Sequence, residues 1–362
     1  MTPLAEALAR RIRRQGPITV AEFMAAALSD PVHGYYRARD AIGASADFVT
    51  APEISQMFGE LIGLWCAETW RQLGRPDPCL LVELGPGRGT LIADALRAAA
   101  RLAGFVEACH LHLVEASPVL RRQQAAVGLP VAPDWHDSLD TVPEGPTIAI
   151  ANEFFDALPV RQFQKSAAGW HERLVGWDDA AGRLAWMLSP PSDGLATALA
   201  GVAPDAPAGS VVEVSPAAVA IARDLAGRLR AAGGAALIVD YGYARAPLRE
   251  TLQAVRRHER ADPLSDPGEV DLTAHVDFAG LADIARHEGI GVLGPVSQAS
   301  LLTAFGIDTR ADQLKRAATP AQAAAVDAAK ARLTGADAMG HLFKALLYWH
   351  GPQGGAPVFP PS

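Results

Sequence analysis

The stretch LVELGPGRGTLIADALRAAARLAG, residues 81–104, joins a short apolar run to a helix-like segment through three glycines at alternate positions, Gly85, Gly87 and Gly89. A strand, a glycine loop and a helix N-terminus in that order leave backbone N–H groups unpaired. They also point the favourable end of the helix dipole at negative charge and remove the Cβ atoms that would bar a close approach. A tight strand-to-helix turn with no ligand would show the same glycines, so the loop alone names no ligand. Spacing narrows the choice. A dinucleotide fingerprint reads G-x-G-x-x-G, but here the third glycine comes one position early, giving E-x-G-x-G-x-G with Glu83 in front. The next apolar run, HLHLVEAS, reaches Glu115, where a strand-end carboxylate can accept both hydroxyls of a ribose.

Outward from this loop the chain alternates short apolar strands with helices: CLLVELG, a helix to about 103, HLHLVEAS, a helix from Pro118 to about 127, then TIAIANEFFDALP. That alternation predicts a parallel sheet with helices on both faces, an α/β fold. Residues 4–30 read as two helices split by QGPIT, with Thr19 and Glu22 at capping-box spacing. Glu53 to Leu73 carries helical apolar spacing. After Pro159 period-2 stretches flank the turn-like DDAAG and predict an antiparallel insertion. Residues 190–210, dense in Pro, Gly and Ala, read as a surface connection, and 216–232 as a helix before the strand AALIVDYG. Residues 244–278 are polar and turn-rich. Core elements follow near 279–297 and 341–350, separated by an alanine-rich helix. The expected divisions are a helical layer and lid at 1–75, a cofactor core at 76–160, a β-rich insertion at 161–212, core again at 213–243, a substrate-cleft insertion at 244–278, and core completion at 279–362.

Composition sets the outer limits. The chain has 362 residues, 49% hydrophobic and 20% charged, and a formal net charge of -8, which describes a folded globular protein with no general attraction for nucleic-acid phosphates. Cys66, Cys79 and Cys109 form no C-x-x-C pair and no disulfide framework, which favours a reducing compartment. No apolar run approaches the roughly 20 residues that span a bilayer, so membrane insertion is not expected. Arg10, Arg11, Arg13 and Arg14 on a helical period would suit a mitochondrial presequence, but Glu6 argues against one, and the expected location is the cytoplasm. His110, His112, His171, His275 and His341 are scattered without a ligand cluster, and no metal is expected.

A set of further motifs resembles one family. DPVHGYY (30–36), DFVTAPEISQMFGE (47–60), VELGPGRGTL (82–91), VEASP (114–118), ANEFFDALPV (151–160), VDYGY (239–243) and PGEVDLTAHVDF (267–278) are similar to those of the MidA family. These are bacterial and mitochondrial class I S-adenosylmethionine-dependent protein-arginine methyltransferases, including the assembly-factor methyltransferase of respiratory complex I. The resemblance implies a Rossmann-like seven-stranded methyltransferase core with an N-terminal helical layer and insertions that form a substrate subdomain. It implies S-adenosylmethionine as cofactor, S-adenosylhomocysteine as product, and an arginine on a protein substrate, such as the complex I (NADH dehydrogenase) subunit beside the quinone site. Eukaryotic relatives work in the mitochondrial matrix, and a homodimer is compatible with the pattern.

Expected roles follow. Glu83, Gly85, Gly87 and Gly89 would cradle the methionine end and Glu115 the ribose. Trp135 or His136 would lie against adenine, and Thr50, Pro52 and Ser55 would close over the methionine end. Asn152, Glu153 and Asp156 cluster at the carboxyl edge of the sheet, where ligands of open α/β sheets bind. An arginine is always protonated and a poor nucleophile, so positioning and carboxylates must supply the catalysis. Glu153 and Asp156 are the expected guanidinium grip and Asn152 the local fixture. Asp240, Tyr241, Asp271 and His275 would line the substrate side; Asn152 and Asp156 as mere turn caps, and Trp135 as a core aromatic, are the plainer readings. Two other functions share these features: a non-catalytic S-adenosylmethionine-binding assembly chaperone, and an NAD-dependent oxidoreductase.

Overall fold

Every residue of the strand Cys79–Leu84 is buried, as a strand covered on both faces must be. It lies at the centre of one of two compact units in the computed structural model, which describes residues 1–38, 49–245, 247–256, 259–352 and 357–361. This unit comprises Ile42–Phe155, Ala220–Ala244 and Val276–Ser362. Its core strands are β1 Cys79–Leu84, β2 Cys109–Val114, β3 Pro133–His136, β4 Thr147–Asn152, β5 Gly234–Tyr243, β6 Gly291–Ser297 and β7 Phe343–His350. They run in the order β6-β7-β5-β4-β1-β2-β3. β1 to β5 pair in parallel, and β7 runs antiparallel to both β5 and β6. The strand order reverses between β1 and β4, and in open α/β sheets ligands bind beyond the carboxyl ends of strands at such a point. A short eighth strand, Val276–Asp277, pairs in parallel with Gly242 and Tyr243 of β5. The α/β class expected from the sequence and the seven-stranded core implied by the resemblance are both present within this sheet.

Helix Gln56–Gln72 packs unusually close to helix Thr90–Ala99, the helix that follows the glycine loop. A Cβ built on Gly63 would lie 2.1 Å from the carbonyl oxygen of Ala95, and one on Gly59 would lie 2.7 Å from Cβ of Asp94. The spacing Gly59-x-x-x-Gly63 therefore presents one bare face of the helix. Between them Glu60, 3% exposed, receives Arg97 at 2.8 Å and Arg310 at 2.6 Å. Burial raises the Glu60 pKa, but the bonds and charges of the two guanidinium groups outweigh it, and the net shift is downward.

The other unit comprises Met1–Ala41, Asp156–Val219 and Arg245–His275. The helix Val20–Ser29 begins with the capping box read from the sequence, Thr19 and Glu22 bonding reciprocally. The hairpin Gly169–Asp178 and Arg183–Leu188 turns at DDAAG, where the Asp178 carboxylate accepts the N–H groups of Ala180 and Ala181. Two segments depart from the expectation. Within 190–210 there is a helix, Asp193–Leu199, and Leu199 joins Phe163, Trp170, Ala203 and Val212 in a small separate core. Within 244–278 a three-stranded sheet forms from Gln253–Arg256, Glu259–Ala261 and Asp271–Thr273. Both elements are too short and too polar or alanine-rich to declare a period. The expected layer at 1–75 is shared between the units, since its first part belongs to this one and the helix Gln56–Gln72 to the other.

Candidate functional site

β1 ends and the chain turns through Gly85, Gly87 and Gly89 with φ of 65°, 55° and 83°, a region costly for any residue with a Cβ. At Gly85 a Cβ would also meet the Phe154 ring at 2.7 Å. Gly89 is the N-cap of the helix Thr90–Ala99, so the loop delivers that helix's free N–H groups to the carboxyl edge of the sheet. A pocket opens there, walled by Thr50, Pro52, Glu53, Glu83, Gly85, Pro86, Gly87, Arg88, Thr90, Leu91, Asn152 and Glu153. Seven residues singled out from the sequence thus meet in one place: Thr50, Pro52, Glu83, Gly85, Gly87, Asn152 and Glu153.

Glu83 is the chemically distinctive wall. It is 2% exposed, and among the described residues its Oε2 has no hydrogen-bond partner. Burial pushes its carboxyl up to about 8, because a lone buried carboxylate lacks the solvation that would favour ionisation. The Oδ1 of Asn152 is likewise buried without a partner among the described residues. Glu153, the next residue, has φ of 50°, a strained value for a non-glycine. Its Oε1 accepts the backbone N–H of Ala51 at 2.9 Å and the side-chain amide of Asn152 at 3.2 Å. Glu53, Glu83 and Glu153 line the pocket together with one guanidinium, Arg88.

The remaining expected residues are placed differently. Ser55 uses its Oγ to cap the helix Gln56–Gln72, accepting Met57 N–H at 3.2 Å, and Asp47 and Phe48 of its motif lie outside the described residues. Glu115 follows β2 and is buried; one carboxylate oxygen accepts Ser117 N–H at 2.7 Å, beside the start of the helix Pro118–Ala126. Trp135 and His136 belong to β3 itself. Trp135, partly buried, packs against the main core and donates its indole N–H to Gln124 at 2.8 Å. Both ring nitrogens of His136 are engaged, Nδ1 with Thr141 and Nε2 with His112, each at 3.0 Å. Burial lowers the pKa of both histidines.

Asp240 requires a correction. Expected on the substrate side, it is fully buried at 0% exposure. Its Oδ2 accepts the N–H groups of Phe154 and Phe155 at 3.1 and 3.0 Å, and its Oδ1 accepts Tyr241 N–H at 2.9 Å. A carboxylate so committed to backbone donors holds the turn after Glu153 and does not present itself to a substrate. Tyr241 is buried too, packed against Phe343 with ring centroids 5.4 Å apart.

In the other unit, Asp156 and Asp271 are both buried, and the Tyr36 hydroxyl lies 3.0 and 3.1 Å from the two Asp271 oxygens. Burial, followed by the charges of Asp271 and Asp156, holds the Tyr36 phenol well above its usual range. His275 is anchored through its backbone N–H to Thr251 Oγ1 at 2.9 Å. Tyr36, Glu53 and Thr90 were not singled out from the sequence. Thr90 had the one available signal, its place as the first helical residue after the loop; Glu53 and Tyr36 lie in quoted motifs but have no spacing that marks them.

Comparison with known proteins agrees with this geometry. Residues 61–296 match the profile of a family described as S-adenosyl-L-methionine-dependent methyltransferase. The mitochondrial protein arginine methyltransferase NDUFAF7 of Xenopus tropicalis is 40% identical over 327 residues, covering 83% of this chain and 74% of the relative. Its Homo sapiens namesake is 38% identical over 337 residues, covering 86% and 75%. A COG1565 superfamily member from Burkholderia thailandensis, crystallised with S-adenosyl-homocysteine, matches with a TM-score of 0.85 at 32% identity, over 97% of this chain and 93% of its own. An oxidoreductase reading falls with these findings. The chain belongs to the MidA family of S-adenosylmethionine-dependent methyltransferases.

Proposed function

We propose that the pocket below the glycine loop holds S-adenosylmethionine and that the enzyme transfers its methyl group to an arginine of a protein substrate. The observation that carries this is the buried Oε2 of Glu83 beside the loop, which has no hydrogen-bond partner among the described residues. Bound there, the cofactor supplies a methyl group activated by a sulfonium. Glu83 faces its cationic part, the N–H groups at the start of the helix Thr90–Ala99 receive its carboxylate, and Glu115 takes the ribose hydroxyls. Thr50 and Pro52 close the methionine end.

On the acceptor side, Glu153 holds the guanidinium charge and Asn152 fixes Glu153. The chemistry asks these residues to orient one nitrogen and to accept the proton released as the methylated guanidinium forms. Neither task needs a covalent nucleophile. The name of the mitochondrial relatives supports arginine as acceptor. The resemblance further suggests the NADH dehydrogenase subunit beside the quinone site as the protein substrate. The three cysteines, all buried and free, suit a reducing compartment, and among the described residues no helix is long and apolar enough to cross a membrane.

The test incubates the purified protein with methyl-labelled S-adenosylmethionine and that subunit, then maps the label by peptide mass spectrometry. Label on an arginine, lost in Glu153→Gln while cofactor binding persists, is the expected result. Label on another residue type would overturn the acceptor assignment. Cofactor binding with no transfer to any protein would favour the chaperone alternative.

A further inference from the structure

Gln124 was not singled out by any motif, yet it is 1% exposed on the helix Pro118–Ala126 and touches the glycine loop. Its Nε2 donates to the carbonyl oxygen of Gly87 at 2.7 Å, and its Oε1 accepts the indole N–H of Trp135 at 2.8 Å. The orientation of the carboxamide is fixed by chemistry: an indole N–H can only donate and a backbone carbonyl can only accept. A Cβ on Gly89 would lie 3.5 Å from Cγ of the same side chain. One buried amide therefore connects β3, the helix after β2 and the loop after β1.

We infer that Gln124 is a positioning residue for the cofactor, one that holds the Gly87 peptide in its binding orientation through a relay anchored on Trp135. The need for such a residue follows from the glycines. With Gly85, Gly87 and Gly89 all at positive φ, the loop has little side-chain structure of its own to choose one conformation, and glycine loses more freedom on ordering than any other residue. Rotation of the peptide after Gly87 would turn a carbonyl toward the ligand in place of an N–H. Tying that carbonyl to Gln124 selects the productive orientation before the cofactor arrives, so that less ordering has to accompany binding. Trp135 in turn stops the carboxamide from rotating, and its ring packs against the main core, which makes the anchor rigid.

The inference rests on the reading that this loop holds S-adenosylmethionine, and the experiment separates the two. Calorimetric Kd for S-adenosylmethionine, its KM, turnover at saturating cofactor and melting temperature are measured for wild type, Gln124→Met, Gln124→Glu, Trp135→Phe and Gly87→Val. Met fills the space of Gln but makes neither bond. Loss of two hydrogen bonds predicts a rise of about tenfold in Kd and KM, with turnover at saturation retained, a split that general loosening of the fold would not give. Glu keeps the bond to Trp135 but sets an oxygen against the Gly87 carbonyl, so it should bind more weakly than Met. Trp135→Phe keeps an aromatic ring there but no N–H donor and so frees the amide, predicting about a threefold rise, and adding it to Gln124→Met should cost nothing further. Wild-type Kd in Gln124→Met while Gly87→Val fails to bind would overturn the relay and leave the cradle standing. Normal binding by Gly87→Val would overturn both. Should Gln124→Met not fold, Trp135→Phe decides, and an unchanged Kd there removes the anchor.

Discussion

The Oδ2 of Asp240 lies 3.0 Å from the backbone nitrogen of Phe155, so the end of β5 grips the turn that leaves β4. Phe154 N–H joins the same oxygen at 3.1 Å, and the Glu153 N–H bonds Val239 O at 2.9 Å. The positive φ of Glu153 is held by this clamp, since a strained backbone persists only where its surroundings over-determine it. Asp240→Ala leaves buried N–H groups without acceptors and should cost roughly 2–4 kcal/mol of stability. Asp240→Asn keeps an acceptor and should fold, with turnover falling more than cofactor affinity. Equal loss of both in steady-state kinetics and calorimetry would mean that the clamp serves the whole pocket and not Glu153.

Glu83 should make cofactor binding depend on pH. With its carboxyl near 8, the group is mostly protonated at neutral pH, and a cationic ligand favours the ionised form, so binding releases a proton. Affinity should rise with pH, by up to about tenfold per unit below 8, and level off above it. Calorimetry at pH 7 in phosphate and in Tris should give different apparent enthalpies, and Glu83→Gln should give the same one in both. Identical enthalpies for wild type would sink the assignment.

Two buried carboxyls should pull stability in opposite directions. Glu83 has a folded pKa raised from 4.5 to about 8, so its contribution is complete below 4.5 and is lost as pH rises through about 8. Glu60 has a folded pKa lowered from 4.5 by its two arginines, so its contribution is present above 4.5 and is lost as pH falls through the lowered value. In denaturant midpoints measured against pH, Glu83→Gln should flatten the decline on the alkaline side and Glu60→Gln that on the acid side. No change in either slope would contradict the burial argument.

Gly63→Ala tests the helix contact beneath the loop. Alanine gains about 1 kcal/mol of helix propensity over glycine, but its Cβ would fall 2.1 Å from Ala95 O. Overpacking typically costs about 1–3 kcal/mol, and contact with rigid backbone belongs at the upper end, so the variant should be less stable than wild type. A higher melting temperature would show that the two helices separate easily.

Much of the fold was legible because its signals are local. The strand-length hydrophobic runs and the loop glycines of one unit, and the capping box at Thr19 and Glu22 in the other, each act within a few residues, where sterics and hydrogen bonding set the outcome. The short helix carrying Leu199 and the sheet around Asp271 were not legible, because their burial comes from residues distant in the chain. The same division runs through the site. Glu83, Gly85, Gly87, Asn152 and Glu153 could be picked by their place at strand ends, whereas the side chains that serve other side chains could not.

Asp240 shows why: from the sequence it is an acid at a strand end, indistinguishable from Glu153. What the sequence by itself determined is the order of the elements, the loop and the family to which they belong, since these depend on periodicity and on residues with special backbone freedom. The tertiary structure alone decided that Asp240 accepts backbone N–H groups while the Oε2 of Glu83 has no partner among the described residues, and that Gln124 reaches Gly87. Hydrogen-bond partners and solvent exclusion are properties of the assembled fold, and no spacing along the chain encodes them.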